Sequence, residues 1–147
     1  MRVISTFLVA LSLIFGSAAI AADRAMPDEA KAMALKAAQY LRDVGPEKAY
    51  AAFNAKDGPW HDRDLYVVVQ DDQFTVRAHG AIPALIGRSF PDLKDVDGAP
   101  FTRYWKAVQT EGWVDYKWQD PVTKEVRPKS SYVVRVEDVV VAVGAYK

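Results

Sequence analysis

The residues able to do chemistry in this 147-residue chain are few. It has two histidines, His61 and His79, and no cysteine, so thiol catalysis, disulfide scaffolds and cysteine-ligated metals are excluded. No nucleophile elbow, zinc-binding H-E-x-x-H, phosphate loop or dinucleotide fingerprint occurs. The two histidines have no spacing that makes a metal site, so the chain is not expected to be an enzyme or to need a cofactor. Asp92, Asp95, Asp97 and Gly98 place acidic oxygens near a glycine turn, but the spacing departs from a calcium loop and no closing glutamate follows. A solvated acidic loop is the expected reading, with no metal.

The stronger signal is aromatic density. Phe101, Tyr104, Trp105, Trp113, Tyr116 and Trp118 fall within eighteen residues, and such rings supply both the apolar wall and the polar tips of a small-molecule pocket. The plain alternative is that they fill a core. Pro128-Lys129-Ser130-Ser131-Tyr132 then sets a cation among hydroxyls. In a strand, Lys129 and Ser131 share one face, and Ser130 and Tyr132 the other. Lys129 either reaches into water or, pointing into the aromatic region, pairs with a ligand carboxylate. His79, on the same strand face as Arg77 and Thr75, either braces a loop or donates a hydrogen bond at a pocket mouth.

Ala30, Met33, Ala34, Ala37, Leu41 and Val44 recur at helical spacing, with Pro27, Asp28 and Glu29 suited to the start and Gly45-Pro46 to the stop. A shorter helix follows, burying Ala49, Tyr50 and Phe53. Leu65–Val69 and the alternation of Phe74, Val76 and Ala78 predict a hairpin around Asp71-Asp72. Gly80–Pro100 reads as mostly loop, and Phe101–Gln109 as a short helix with Tyr104, Trp105 and Val108 inward. Trp113–Trp118, Lys129–Val136 and Val139–Ala145 form a three-strand meander. Val139–Val143 has no alternation, as expected of a central strand buried on both sides. The expected fold is α+β, a five-stranded antiparallel sheet with a long N-terminal helix on one face.

Residues 1–21 have their own character: Arg2, an apolar stretch to Phe15, and Ala19-Ile20-Ala21, the pattern of a secretory signal peptide. The rival is an uncleaved anchor over Val3–Ala22. Cleavage after Ala21 leaves residues 22–147 as one domain with 18 basic and 19 acidic side chains. That balance gives no footprint for nucleic acid. The expected location is periplasmic or secreted.

Several segments, in order, are similar to the single Cache domain family (type 2). They are Asp64-Leu-Tyr-Val-Val-Val69, Val76-Arg-Ala-His79, Pro83-Ala-Leu-Ile-Gly-Arg-Ser89 and Asp92-Leu-Lys-Asp-Val-Asp-Gly98. They continue with Gly112-Trp-Val-Asp-Tyr-Lys-Trp118, Pro128-Lys-Ser-Ser-Tyr-Val133 and Val143-Gly-Ala-Tyr146. The resemblance implies a PAS-like sheet and a small-molecule pocket, often for organic acids, between the sheet and the loop-and-helix segment. Its matched positions give the expected site as His79, Tyr116, Lys129 and Tyr132, with Tyr104, Trp113 and Ser131 beside them. The expected function is a sensing component that binds a short organic acid. The alternative is an interaction module for a membrane-bound sensor kinase, chemoreceptor or transporter.

Overall fold

The computed structural model describes residues 23–147; the signal segment expected at 1–21 lies outside them. Helix α1 (Pro27–Val44) starts with proline in its first turn, and the Glu29 carboxylate accepts the Met26 N–H at 2.6 Å. It buries Ala30, Ala34, Ala37, Ala38 and Leu41, a face of small side chains that lets the helix lie close on the sheet. Gly45 ends it at φ +81°, its N–H reaching the Leu41 carbonyl at 3.0 Å, and Pro46 opens α2 (Pro46–Asn54) directly. Phe53 of α2 is fully buried and meets Trp60 edge-on at 5.0 Å.

A two-residue strand β1 (His61–Asp62), not expected from the sequence, pairs with the start of β2 (Leu65–Asp71). Next come β3 (Val76–His79), a 3-10 turn at Pro83–Leu85, α3 (Phe101–Ala107), β4 (Glu111–Gln119), β5 (Val126–Val136) and β6 (Val139–Tyr146). All pairings are antiparallel: β2 lies beside β6, β6 beside β5 and β5 beside β4, with β3 on the free side of β2. The central strand β6 is buried throughout, as its unbroken apolar run predicts.

The β2–β3 turn corrects the sequence reading. Phe74 is not in a strand but in the turn at φ +61°. Asp71 causes this, because its Oδ1 accepts the N–H groups of Gln73 and Thr75, each at 2.9 Å, and delays pairing to Val76.

The sheet has two unlike faces. Val67, Val69, Val141 and Val143 meet α1 and α2, and each buried valine contributes about 1.5–3 kcal/mol. On the other face Tyr66, Val68, Val133, Val140 and Ala142 meet Phe101 and Trp105 of α3 and Val114 and Tyr116 of β4. The loop before α3 is latched down by Asp95, which accepts the N–H groups of Asp97, Ala99 and Lys117 at 2.8–3.0 Å. Asp97 pairs with Lys117 and Asp92 with Arg103, each at 2.7 Å. The acidic run thus braces the loop.

Candidate functional site

Strand alternation sends Lys129, Ser131 and Val133 of β5 to the α3 side of the sheet. Register then puts Tyr116 of β4 opposite Lys129 on one flank and Tyr146 of β6 opposite it on the other. The lysine is 3% exposed. Its Nζ donates to the Tyr66 hydroxyl at 2.8 Å and the Tyr146 hydroxyl at 3.3 Å, and lies 4.1 and 4.6 Å from their ring centres. Its stem crosses the sheet over Gly144, where a Cβ would run into Lys129 Cε and Ser131 Oγ. Only glycine permits that close approach. Ser131 Oγ is 2.9 Å from the Tyr116 hydroxyl.

Burial pushes the Lys129 ammonium down to about 7, against the pull of the Asp64 and Asp120 charges. Those two buried carboxylates are engaged by Arg24, whose Nη1 is 3.4 Å from Asp64 and 2.6 Å from Asp120. The Ala25 N–H also donates to Asp64 at 2.9 Å. Lys129 therefore has tyrosine hydroxyls as its hydrogen-bond partners. Burial raises the hydroxyls of Tyr66, Tyr116 and Tyr146 above the ordinary tyrosine range, so all three keep their protons.

His79 stacks on Tyr66 at 5.2 Å. Its Nδ1 accepts the N–H groups of Ala81 at 3.3 Å and Ile82 at 3.0 Å, which leaves the ring proton on Nε2. Burial, with the Lys129 charge second, pushes the imidazole down to about 3, so it is neutral at physiological pH. His79 braces the loop with one nitrogen and offers a donor with the other.

Beside this cluster lies a cavity of about 40 Å³ whose walls include Val68, Gln70, His79, Phe101, Trp105 and Tyr116. At about 10–15 Å³ per water, that is room for about three water molecules. Lys129 stands one layer behind, joined to the cavity wall through Tyr66–His79 and Ser131–Tyr116. A larger open groove of about 740 Å³ runs between α1 and Trp60 on the opposite side, lined by Lys36, Tyr40 and Asp43 among others. It has no comparable convergence of buried polar groups.

Of the seven expected site residues, the structure brings His79, Tyr116, Lys129 and Ser131 together. Tyr132 and Trp113 belong elsewhere. Both project from the α1 face, packed edge-to-face at 5.0 Å, with the Tyr132 hydroxyl donating to Glu111 at 2.6 Å. The two-residue period that sends Lys129 and Tyr116 inward sends Tyr132 and Trp113, each three positions away, to the other face. Tyr104 is 47% exposed, since the seven-residue α3 turns Phe101, Thr102 and Trp105 inward instead. His79 does not share a face with Arg77 as expected. A register shift in the β2–β3 ladder lets Val76 and His79 both line the cavity while Ala78 joins the α1 core.

Sequence reasoning missed Tyr66, which read as an ordinary strand residue, Gln70 and Tyr146, which lie one residue past the strands expected from the sequence, and the Asp64–Arg24–Asp120 cluster, whose members lie far apart along the chain. The available signal was a glycine, Gly144, inside an apolar strand, which marks a close approach.

Solved structures share this architecture. The crystal structure of a methyl-accepting chemotaxis protein from Vibrio parahaemolyticus RIMD 2210633 superposes with a TM-score of 0.71 at 22% identity, covering 81% of this chain and 86% of that one. A periplasmic sensor domain of a chemotaxis protein gives 0.64 at 22% identity, covering 81% and 88%. A Cache chemosensory domain described for carboxylic acid recognition gives 0.63 at 23% identity, covering 81% and 86%. At these identities the likeness is one of fold. No curated protein matches the chain. The sequence model of the single Cache domain 2 family matches residues 25–147, nearly everything that the sheet, its helices and the Lys129 cluster occupy, and the chain belongs to that family.

Proposed function

We propose that the protein is an extracytoplasmic sensing domain that binds a short carboxylate at Lys129 and does not alter it chemically. The observation that carries this reading is Lys129 itself: a fully buried amine on a sheet, beside a cavity, with neutral hydroxyls as its hydrogen-bond partners. A buried cation needs an anion, and a charge-assisted contact contributes about 1.5–3 kcal/mol. Tyr116, Ser131 and His79 supply further donors. The carboxylic acid recognised by one structural neighbour is consistent with this chemistry. Catalysis at His79 is disfavoured, because its Nδ1 lone pair is already taken by two loop amides.

Titration calorimetry of the protein from Ala22 to Lys147 with acetate, propionate and pyruvate tests the reading. The expected result is binding by at least one acid, weakened about ten- to hundredfold in Lys129→Met. Equal affinity in that variant overturns it. Export is proposed on the strength of residues 1–21, and among the described residues no helix is long and apolar enough to cross a membrane. Intact mass of the exported protein should show a chain beginning at Ala22; retention of residues 1–21 supports an anchor instead.

A further inference from the structure

The sheet ends differently on its two sides. Along β3, Val76 gives its N–H to the Arg88 carbonyl and accepts that of Gly87, so the following loop closes that edge. Beyond β4 no strand lies among the described residues, and alternation fixes which of its backbone groups look outward. The Thr110 carbonyl takes the Arg135 N–H on the β5 side, while the Lys117 N–H turns away from β5 to the Asp95 carboxylate at 2.8 Å. Glu111, Trp113 and Asp115 share the parity of Lys117. Their N–H and C=O groups therefore point outward too, and none has a hydrogen-bond partner among the described residues. The loop that Asp95 holds covers the Lys117 end and leaves these three open. A free strand edge is a template for pairing, which proteins blunt with lysine, proline, a bulge or a covering loop. None of these stands at residues 111–115.

The side chains along this stretch select what can pair there. Glu111, Trp113 and Asp115 project on the α1 face, where α1 itself packs on β5 and β6. Trp113 is 43% exposed with the Tyr132 ring beneath it at 5.0 Å, and a seated indole of this kind is a common anchor of protein interfaces. The flanking carboxylates are exposed. Glu111 uses only Oε1 to hold the Tyr132 hydroxyl, and Asp115 has Lys147 at 3.3 Å, a solvent-screened pair that another cation replaces at little cost. A second copy fits badly, because a two-fold pairing centred on Trp113 sets Glu111 of each copy against Asp115 of the other, like charge on like. A two-residue shift that opposes Glu111 to Lys117 runs into the loop held by Asp95. We infer that this edge accepts an extended basic segment of another polypeptide as an added antiparallel strand. An apolar residue of that segment lies opposite Trp113, with lysine or arginine two positions to either side, opposite Glu111 and Asp115. Backbone bonds to the outward residues supply affinity, and the two carboxylates supply selectivity. These side chains lie on the other face from the Lys129 cluster, so the edge serves whether or not an acid binds there.

The probe is the capped peptide Ser-Thr-Lys-Thr-Val-Thr-Lys-Thr-Ser, read by amide hydrogen exchange of the protein residue by residue. In the free protein the amides of Glu111, Trp113 and Asp115 should exchange at least about tenfold faster than those of Val114 and Tyr116, which face β5. Peptide at about 1 mM should slow these three about tenfold, as a dissociation constant near about 0.1 mM requires. Two altered peptides separate the contributions. N-methylation of the valine removes the N–H that the Trp113 carbonyl accepts, and glutamate in place of both lysines reverses the charge; each should leave exchange within about twofold of the free rate. Trp113→Thr should weaken the lysine peptide about tenfold, with unchanged exchange at Val114 and Tyr116 showing that β4 is intact. No slowing at the three amides, equal slowing by either altered peptide, or outward amides already protected in the free protein overturns the inference. Protection that grows with protein concentration and needs no peptide overturns it in favour of a second copy.

Discussion

Replacing Lys129 by methionine removes an amine that folding has stripped of water while keeping the stem that covers Gly144. The ammonium falls from 10.5 to about 7 on folding. Kept fully protonated in the folded state, it costs about 5 kcal/mol, since each pH unit between those two values is worth about 1.36 kcal/mol. Between pH 7 and 10.5 the unfolded chain holds a proton that the folded chain has lost, so raising the pH stabilises the fold. The slope approaches about 1.36 kcal/mol per pH unit and amounts to about 3 kcal/mol between pH 7 and 9.5. This window is clear of the neighbouring groups. His79, lowered to about 3, acts below its unfolded value of 6.5, and the raised tyrosines act only near and above 10. Urea unfolding of ligand-free wild type and Lys129→Met across pH 7–9.5 isolates the lysine as the difference between two curves. That difference should close or reverse by about 3 kcal/mol as pH rises, in favour of the wild type. A bound carboxylate should flatten the wild-type curve, because it restores the charge. Parallel curves refute the assignment of Lys129 as a desolvated amine.

Carboxylate affinity should be steady below pH 7 and fall by up to about tenfold per pH unit above it, as the neutral form of Lys129 loses its attraction for the anion; calorimetry over pH 6–9 measures it, and a flat profile argues for another anchor. Gly144→Ala should cost about 1–3 kcal/mol in urea unfolding, because the new Cβ meets Ser131 Oγ and Lys129 Cε, and should weaken acid binding as Lys129 is displaced. Tyr132→Phe should leave acid affinity unchanged and cost about 1 kcal/mol of stability, since its hydroxyl serves Glu111 on the α1 face. Asp120→Ala should lower stability by about 3 kcal/mol, as Arg24 and the Val122 N–H lose a fully buried partner; unfolding midpoints check both.

What the sequence made legible is what repeats locally. The alanine stripe of α1, the alternation of β4 and the unbroken run of β6 each fix an element and its buried side, because one residue's neighbours in sequence decide which way it points. Failures came where a single side chain resets that rule. Asp71 holds the β2–β3 turn open long enough to keep Phe74 out of the strand. The shifted ladder then aims His79 at the cavity along with Val76. Tyr104 went astray because seven residues of helix are too few for a periodicity to show its phase.

Lys129 is the instructive case, because its own surroundings in sequence are equally consistent with an exposed strand lysine. Its fate is written in another strand. Only Glu137 and Asp138 separate β5 from β6, with Glu137 at φ +52°, so the turn pairs Val136 with Val139 and fixes every later pairing by counting outward. That count sets Ser131 against Gly144 and Lys129 against Tyr146. A glycine in an otherwise apolar strand leaves a gap on the face that Lys129 shares, and two tyrosines close around the amine that lies across it. The two-residue turn and the glycine together are enough to bury the lysine, and neither has meaning without the other. A site of this kind is encoded in register, and register is legible wherever a tight turn fixes it.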